Sequence, residues 1–305
     1  MPEVLSLMCV HAHPDDESFS TGGTLAKYAD EHALTSLITA TRGEVGEIRD
    51  PRLVIESYQT LAQVRTRELS LATSVLKVNF VNFLGYRDSG MAGTNDNLHT
   101  SAFTNANLDE ACQRLVLNIR KLRPQVLVTY DEQGGYGHPD HIMCNRVTQE
   151  AFYRAGDPEE FWDDGEEPWQ PSKLYYIAQS RSRFQQGREA VLAAGLDDPF
   201  PRRDPSRFGL PDEAITTRID VSQYLEQKRQ ALLCHRSQIT GTRWLSAPAS
   251  VLLPLLGEEC FTRVVSAVET PLQEDDLFAG LRDRAVGADD YSLQSAQPVG
   301  THFVA

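Results

Sequence analysis

Imidazole and carboxylate side chains are concentrated directly after an apolar segment near the start of the chain. Residues 4–10 are mostly apolar, and the next seven are His-Ala-His-Pro-Asp-Asp-Glu. A second set, Tyr-Gly-His-Pro-Asp-His at 136–141, lies shortly after the apolar segment 125–130. Because α/β proteins carry their chemistry at the carboxyl ends of parallel strands, both sets are predicted to meet at one edge of a sheet.

The residue types in these two sets are those that bind a divalent metal. His13 and Asp16 are three apart, so one turn can aim both side chains the same way, and His141 can supply a third ligand. Two imidazoles and one carboxylate leave a fourth position open, which suits zinc and lets it lower the pKa of a bound water to about 7. Zn²⁺ is therefore the expected cofactor, with Fe²⁺ or another divalent ion as an alternative for the same ligands.

Asp15 is predicted to act as the general base of a hydrolase. It adjoins Asp16 in sequence and cannot point the same way, so it remains free to take a proton from a metal-bound water. The other interpretation is that these residues are helix caps and solvated charges, which would account for either set alone. The two sets together exceed what helix capping requires.

An alternation of strand and helix patterns predicts the fold class. The pattern indicates an α/β fold with a Rossmann-like, mostly parallel sheet flanked by helices and an elaborated C-terminal region. No GxGxxG sequence stands between a strand and a helix, which disfavours a dinucleotide site. The predicted strands are 4–10, 35–40, 79–83 and 125–130, and the predicted helices are 21–31, 57–76 and 108–122.

The chain changes character after about residue 155. Residues 1–155 are predicted to form the catalytic core with the metal site, and 156–305 the C-terminal part of the same domain. The acidic segment 157–171 and the Pro- and Arg-rich segment 198–211 are interpreted as insertions near the substrate rim. A strand is predicted at 173–178 and a helix at 222–235; the apolar residues 251–256 predict a subunit contact of a homo-oligomer or a satellite core.

Composition excludes several classes of partner. The 305 residues are 41% hydrophobic, enough for a sizeable core, and carry a formal charge of −14. That charge opposes binding to nucleic acid and to an anionic membrane surface. A signal peptide and an apolar stretch of about 20 residues are both missing, so a cytoplasmic location is expected. Five scattered cysteines without a CxxC pair argue against a disulfide framework and a thiolate zinc site, and Cys144 is expected to face the core.

At the level of motifs, the chain resembles the PIG-L/LmbE-like zinc N-acetylglucosaminide deacetylases. Within that family the likeness is greatest to the deacetylases of the mycothiol and bacillithiol pathways. The matching motifs span most of residues 4–245. They are His13-Pro14-Asp15-Asp16-Glu17, Thr41-Arg42-Gly43-Glu44, Arg65-Thr66-Arg67-Glu68-Leu69, Tyr86-Arg87-Asp88-Ser89-Gly90-Met91, Gly134-Gly135-Tyr136, His138-Pro139-Asp140-His141 and His235-Arg236-Ser237-Gln238.

The resemblance implies roles for further residues. It agrees with zinc held by His13, Asp16 and His141 beside the base Asp15. It implies that His138 protonates the leaving amine or stabilises charge, that Asp140 holds the His138 ring, and that Tyr136 helps to bind the oxyanion. A helix-start carboxylate remains the alternative for Asp140, because Pro139 favours a helix beginning there.

The resemblance also implies sugar contacts by Glu47, Arg65 and Asp88. A solvated or salt-bridged face of a helix is the alternative for Arg65, and a turn cap is the alternative for Asp88. Three further arginines, Arg42, Arg49 and Arg87, would suit a carboxylate-bearing aglycone such as malate, while inositol is not excluded.

The predicted function is de-N-acetylation of an N-acetylglucosaminide, either GlcNAc-malate or GlcNAc-inositol, in the biosynthesis of a low-molecular-weight thiol. The expected partner is thus a small amino-sugar glycoside. A mycothiol-type S-conjugate amidase would use the same chemistry on a larger amide. A non-catalytic sugar- or metal-binding protein is the alternative from another class, although it would not require Asp15 beside the ligands.

Overall fold

The structure is a computed structural model that describes residues 4–54, 58–161, 165–201, 203–239 and 242–282. Strands from both halves of the chain join one seven-stranded sheet in the order β3-β2-β1-β4-β5-β7-β6. The strands are β1 (Ser6–His11), β2 (Leu34–Thr41), β3 (Phe80–Tyr86), β4 (Val126–Thr129), β5 (Lys173–Ala178), β6 (Thr217–Asp220) and β7 (Glu258–Ser266).

The mostly parallel sheet predicted from the sequence is confirmed. Strands β3, β2, β1, β4 and β5 pair in parallel, and Cys9 of β1 aligns with both Leu37 of β2 and Val128 of β4. β7 runs antiparallel to both β5 and β6. The carboxyl ends of β1 and β4 therefore lie side by side, which is the arrangement that the two histidine-containing sets require.

Helices cover both faces of the sheet. None of those in the described residues is both long and apolar enough to cross a bilayer. The helices are α1 (Asp16–Ser20), α2 (Gly22–Asp30), α3 (Tyr58–Val75), α4 (Leu108–Leu122), α5 (Gly134–Gly137), α6 (Pro139–Arg154), α7 (Arg181–Ala193), α8 (Leu225–Cys234), α9 (Arg236–Ile239) and α10 (Ala249–Leu256).

Successive residues of β1 point into two different cores because side chains alternate along a strand. Leu7 and Cys9 pack with residues of α2, α3 and α8 on one face. Met8 and Val10 pack with residues of α4 and α6 on the other. Since both faces are covered, β1 is apolar almost throughout, as is typical of a central parallel strand. Cys144 packs in the α4 and α6 core, and all five cysteines are free thiols.

Most predicted elements are present, with changes at their ends. The helix predicted at 21–31 is α2, and it is preceded by the separate short helix α1. The helix predicted at 57–76 is α3, although residue 57 lies outside the described residues. The helix predicted at 222–235 begins as a 3-10 turn over Ser222–Tyr224 and continues as α8.

The described residues of the segment 157–171, which are 157–161 and 165–171, do not lie at the substrate rim, so that prediction is wrong for them. Trp169 donates its indole N–H to Pro124 O at 2.7 Å, and Pro124 precedes β4 at the amino edge of the sheet. The buried guanidinium of Arg120 donates to the carbonyls of Ala155, Asp157, Glu160 and Phe161. A connection from a helix to the next parallel strand must arrive at the amino edge, opposite the chemistry.

The apolar segment near residue 251 forms a satellite core. It folds as α10, and Leu252, Leu255 and Leu256 are buried against Phe184 and Trp244. The other predicted insertion, 198–211, packs beside this core through Phe200 and Phe208. Unlike 157–171, it stands at the carboxyl edge of the sheet, beside the site described below.

Candidate active site

The side chains of the three predicted metal ligands converge where β1 and β4 end. His13 follows β1, Asp16 begins α1, and His141 lies in the first turn of α6. Asp16 Oδ2 is 3.2 Å from His13 Nδ1, and Asp16 Oδ1 is 3.4 Å from His141 Nε2. The structure thus brings together the three residues predicted as metal ligands.

Hydrogen bonds on the far side of each imidazole leave these atoms free to bind a cation. His141 Nδ1 lies 3.2 Å from Gly134 O, which can only accept, so the ring proton sits on Nδ1. His141 Nε2 is then a buried acceptor, and it has no hydrogen-bond partner within the described residues. Ring nitrogens and a carboxylate that face one another in this way fit a divalent metal, and outer hydrogen bonds of this kind orient metal-bound imidazoles.

Asp140 holds His13, not His138 as the resemblance implied. Asp140 Oδ2 is 3.1 Å from His13 Nε2, and Asp88 Oδ1 is 3.5 Å from the same nitrogen. Burial lowers the pKa of His13, but Asp88, Asp140 and Asp16 together raise it above its ordinary value. The Asp140 carboxylate is fixed in turn by the backbone amide of Ser89 at 2.9 Å and by the Ser89 hydroxyl.

His138 stands beside the metal ligands as the N-cap of α6. Its Nδ1 accepts the backbone N–H of Asp140 at 3.2 Å, so a neutral ring carries its proton on Nε2. Burial and the neighbouring His13 and His141 lower the pKa of His138 to about 3. One ring nitrogen from each of His13, His138 and His141 lies within 4.8 Å of the other two, which places His138 beside the predicted metal ligands.

Tyr136 lies at the mouth of the site and is 40% exposed. Its ring meets the His141 ring edge-on with centroids 5.0 Å apart. The guanidinium carbon of Arg203 lies 4.0 Å from the centroid of the Tyr136 ring, a cation–π contact that supports the ring from the 198–211 segment.

Asp15 has an unusual backbone conformation for a residue with a side chain. Its φ is 116°, in the region that normally requires glycine. Burial raises the pKa of its carboxyl to about 6, which Arg65 opposes and Asp16 promotes. A carboxyl with a raised pKa is better matched to accepting a proton near neutral pH.

The predicted sugar contacts differ in their surroundings. Arg65 is only 3% exposed; it donates to Pro14 O and to Gly43 O and lies 3.3 Å from Asp15 Oδ2. It is therefore neither on a solvated helix face nor on the rim, because α3 turns it beneath the loop that carries Asp15. Asp88 is also buried, beside His13, whereas Glu47 is exposed and pairs with Arg49 at 3.3 Å.

The arginines proposed for an anionic aglycone already have contacts within the protein. Arg42 donates to Thr66 at 3.0 Å and stacks on Phe83. Arg87 donates to Asp96 at 2.6 Å, and Arg49 pairs with Glu47. Local pairing therefore weakens the inference of a carboxylate-bearing substrate from these residues.

Tyr130 is a site residue that sequence reasoning missed. Its hydroxyl donates to Asp16 Oδ2 at 2.7 Å and accepts the backbone N–H of Ala12 at 2.9 Å. Its ring also stacks on His141, with centroids 4.0 Å apart and planes 19° apart. The available signal was a tyrosine at the end of a buried strand, where the hydroxyl must find a partner.

Glu17 and His235 form a buried ion pair that was also not predicted from the sequence. Glu17 Oε1 and His235 Nε2 are 2.7 Å apart, and both residues are fully buried. Each favours the charged form of the other, so despite burial the pKa of His235 is raised and that of Glu17 is lowered. His235 belongs to a motif that supported the resemblance but had no assigned role.

A cavity of about 520 Å³ opens beside the predicted metal ligands. Asp15, Asp16 and His141 line its floor, and Tyr136 and Arg203 line its side. Its outer wall is aromatic and comes from α1, α7 and the 198–211 segment: Phe19, Phe184, Phe200 and Phe208.

Comparison with known proteins shows to which family this chain belongs. The model of the family described as PIG-L, GlcNAc-PI de-N-acetylase, matches residues 8–152. A protein of Thermobispora bispora named 1D-myo-inositol 2-acetamido-2-deoxy-alpha-D-glucopyranoside deacetylase is 43% identical over 301 residues, covering 90% of this chain and 98% of that protein. The chain belongs to the PIG-L family.

Other similarities agree with this PIG-L assignment. A Streptomyces coelicolor protein named mycothiol S-conjugate amidase is 37% identical over 294 residues, covering 93% of this chain and all of that protein (100%). The solved structure of N,N'-diacetylchitobiose deacetylase from Pyrococcus horikoshii has a TM-score of 0.61 at 19% identity, covering 86% of this chain and 85% of that one. At that identity the likeness shows the fold.

This PIG-L chain is a hydrolytic deacetylase. The family resemblance seen in the sequence motifs is thereby confirmed, and the alternative of a non-catalytic binding protein is set aside.

Proposed function

We propose that this deacetylase is metal-dependent and removes the acetyl group from an N-acetylglucosaminyl inositol in mycothiol biosynthesis. The observation that carries the proposal is the convergence of His13, Asp16 and His141 beside Asp15, at a cavity that Asp15, Asp16 and His141 line. The name of the Thermobispora bispora relative supports the substrate.

His13 Nδ1, the Asp16 carboxylate and His141 Nε2 would hold the metal, for which zinc is the first choice and iron the second. When bound, the metal would supply Lewis acidity to the acetyl carbonyl and to the attacking water. Asp140 and Gly134 fix the two imidazoles from behind.

The remaining residues divide the proton transfers of the hydrolysis. Asp15 accepts a proton from the attacking water as the new C–O bond forms. Tyr136 donates a hydrogen bond to the carbonyl oxygen as that oxygen gains negative charge. Asp15 returns that proton to the nitrogen as the C–N bond breaks, which leaves acetate and a free amine. The neutral ring of His138 donates a hydrogen bond from Nε2 and stabilises the charge that develops during these steps.

Acetate release by the zinc-loaded enzyme tests this proposal. GlcNAc-inositol is expected to be cleaved in preference to GlcNAc-malate, because Arg42, Arg49 and Arg87 already have contacts within the protein. No release from either substrate would overturn the proposed function, and release from the malate compound alone would move it to the bacillithiol pathway.

Two variants separate the base from the ligands. Asp15→Asn should keep its zinc but lose roughly 10²-fold in kcat, since it can no longer accept the proton. His141→Ala should lose zinc, as measured by metal content after dialysis. The exposed Asp30 and His99 provide matched controls, and Asp30→Asn and His99→Ala should match the unmodified enzyme in both measurements.

A second candidate function is amide hydrolysis of a mycothiol-type S-conjugate. The aromatic wall formed by Phe19, Phe184, Phe200 and Phe208 favours it, because an acetyl group alone would not use so much apolar surface. The name of the Streptomyces coelicolor relative points the same way.

Comparison of kcat/KM for an acetyl and a bulky S-conjugated acyl group on the same glucosaminyl inositol decides between the two functions. If the aromatic wall binds the acyl group, Phe200→Ala should lower kcat/KM for the bulky substrate by about tenfold and leave acetyl hydrolysis within about twofold. Equal effects on both substrates would argue against an acyl-binding role for this wall.

A further inference from the structure

The general base occupies a backbone conformation that local sequence does not favour. Asp15 has φ 116° and ψ −30°. A residue with a side chain in such a sparsely populated region is strained, and the conformation persists only where its surroundings impose it. The contacts that impose this conformation are therefore part of how the carboxylate is aimed.

A buried carboxylate provides one of these contacts. Glu17 Oε2 accepts the backbone N–H of Asp15 at 2.9 Å from its place in α1. Glu17 itself is fully buried and is absent from the residues that line the cavity. Its carboxylate therefore acts on the backbone of the base and has no position from which to reach the substrate.

His235 holds that carboxylate from the other end of the chain. Its Nε2 is 2.7 Å from Glu17 Oε1, across a separation of 218 residues. The segment that follows α8 is anchored nearby, because Ser237 donates its amide and hydroxyl to the two oxygens of Glu68 at 2.7 and 2.6 Å. The imidazole is thus a fixed donor attached to α8 and α3.

Burying an ion pair such as Glu17 and His235 has a large cost in desolvation free energy. Desolvation of the two charges can exceed their mutual attraction, and apolar residues of similar volume are often as stable. The best-attested benefit of such a pair is that it fixes one arrangement among several. Here the arrangement fixed is the turn that carries Asp15.

We propose that Glu17 and His235 are positioning residues that aim the Asp15 carboxylate at the attacking water. This inference rests on the proposed role of Asp15 as general base. It assigns a function to the His235 motif, which lies outside the region matched by the family model. Neither residue takes part in the chemistry directly.

A double-mutant cycle on the zinc-loaded enzyme tests the proposal. Glu17→Gln should lower kcat by about tenfold while KM and zinc content stay within about twofold, because the carboxamide donates where the carboxylate accepts. In the Asp15→Asn background the same change should cost less than about twofold, since it acts only through Asp15. Equal losses in both backgrounds, or loss of zinc, would overturn the proposal.

Hydrogen exchange of the Asp15 backbone amide gives a readout that needs no substrate. The bond to Glu17 protects this amide, so Glu17→Gln should speed its exchange at least about tenfold. Glu274→Gln is the matched control, because it also removes the charge of a buried carboxylate paired with a cation, Lys173 at 2.7 Å. It should lower stability without changing kcat or the exchange of Asp15.

The histidine provides a second variant. His235→Gln keeps a donor for Glu17 and should retain several-fold more activity than His235→Ala.

If neither Glu17→Gln nor His235→Gln folds, the pair is structural only and the proposal fails. If the unmodified enzyme cleaves neither substrate, the proposed function fails, while exchange of the Asp15 amide still decides whether the pair positions that residue.

Discussion

A single phenol hydroxyl connects the backbone after β1 to the carboxylate that would hold the metal. Tyr130 accepts from the Ala12 amide and donates to Asp16, while its ring supports His141. Two of the three expected metal ligands therefore depend on one side chain that contacts no metal. Outer contacts of this kind commonly contribute 10- to 100-fold to metal affinity.

Tyr130→Phe should weaken zinc binding by about tenfold or more, since Asp16 Oδ2 loses one of its two hydrogen-bond donors and keeps only the backbone N–H of His13. It should also cost about 1–3 kcal/mol of stability, because the buried Ala12 N–H loses its acceptor. Competition with a chromophoric chelator measures the affinity, and thermal unfolding of the metal-free protein measures the stability.

Tyr28→Phe is the matched control for this prediction. The Tyr28 hydroxyl likewise donates to a carboxylate, Asp276, and accepts a backbone amide, Leu277, but far from the site. It should lose similar stability with no change in zinc affinity. An equal loss of affinity in both variants would refute the specific role of Tyr130.

Sequence could predict which residues gather at the site but not all of their pairings. His13, Asp16 and His141 were predictable because ligand type and strand ends both pointed to them. The partner of Asp140 was not, since Asp140, His138 and His13 lie within a few ångströms and adjacency in sequence favoured the wrong histidine. The choice is made by the Ser89 loop, which turns the carboxylate toward β1.

Among the secondary-structure elements, the glycine turn before α6 sets the position of His141. Gly134 has φ +62°, and a Cβ built on it would lie 2.7 Å from His141 Cβ and 2.9 Å from Ile142 N. Gly135 has a similar φ of +69° but open space around it. Gly134 is thus required for two reasons: its backbone conformation is unfavourable for other residues, and a Cβ would collide with α6. Gly135 is required only for its backbone conformation.

Gly134→Ala should therefore lower both stability and zinc occupancy, whereas Gly135→Ala should lower stability alone. Each change costs about 1 kcal/mol for the left-handed conformation, and Gly134→Ala adds displacement of His141. Metal content after dialysis and chemical denaturation measure the two effects. Full zinc occupancy in Gly134→Ala would show that the turn yields without moving the ligand.

Element positions were easier to predict from sequence than the role of each loop. Apolar periodicity located α4 closely, and Pro139 marked the residue at which α6 begins. The acidic segment 157–171 and the Pro- and Arg-rich segment 198–211 were both interpreted as insertions near the substrate rim, yet among their described residues only those of the second line the cavity. Which edge of the sheet a loop occupies depends on strand direction and connectivity, so loop composition carries no signal for it.

For the whole molecule, Glu274 joins the last three strands of the sheet. It is buried and accepts from Lys173 and Tyr175 of β5, from Thr217 of β6 and from Arg263 of β7. Nothing in the local sequence around Glu274 indicates this role, because its partners lie as far as 101 residues away. Contacts of that range are set by the completed sheet, so the C-terminal region resisted prediction.

Glu274→Gln should destabilise the protein by roughly 3 kcal/mol, since the buried Lys173 and the half-buried Arg263 would both lose this counter-charge. Both halves of the chain should unfold together because they share the sheet. Tryptophan fluorescence reports on residues beyond 156, and labelling of Cys9 and Cys144 reports on the first half. Separate transitions for the two probes would contradict a single cooperative unit.

The connectivity of β1 and β4 has a consequence for experiments. After β1 the chain passes to α2 on one face of the sheet, and after β4 it passes to α6 on the other. A crevice opens between two neighbouring strands whose continuations diverge, whatever side chains they carry. Variants that lack the proposed base or a proposed metal ligand should therefore keep the substrate-binding crevice. Asp15→Asn should thus allow the structure of a complex with the uncleaved amide to be determined.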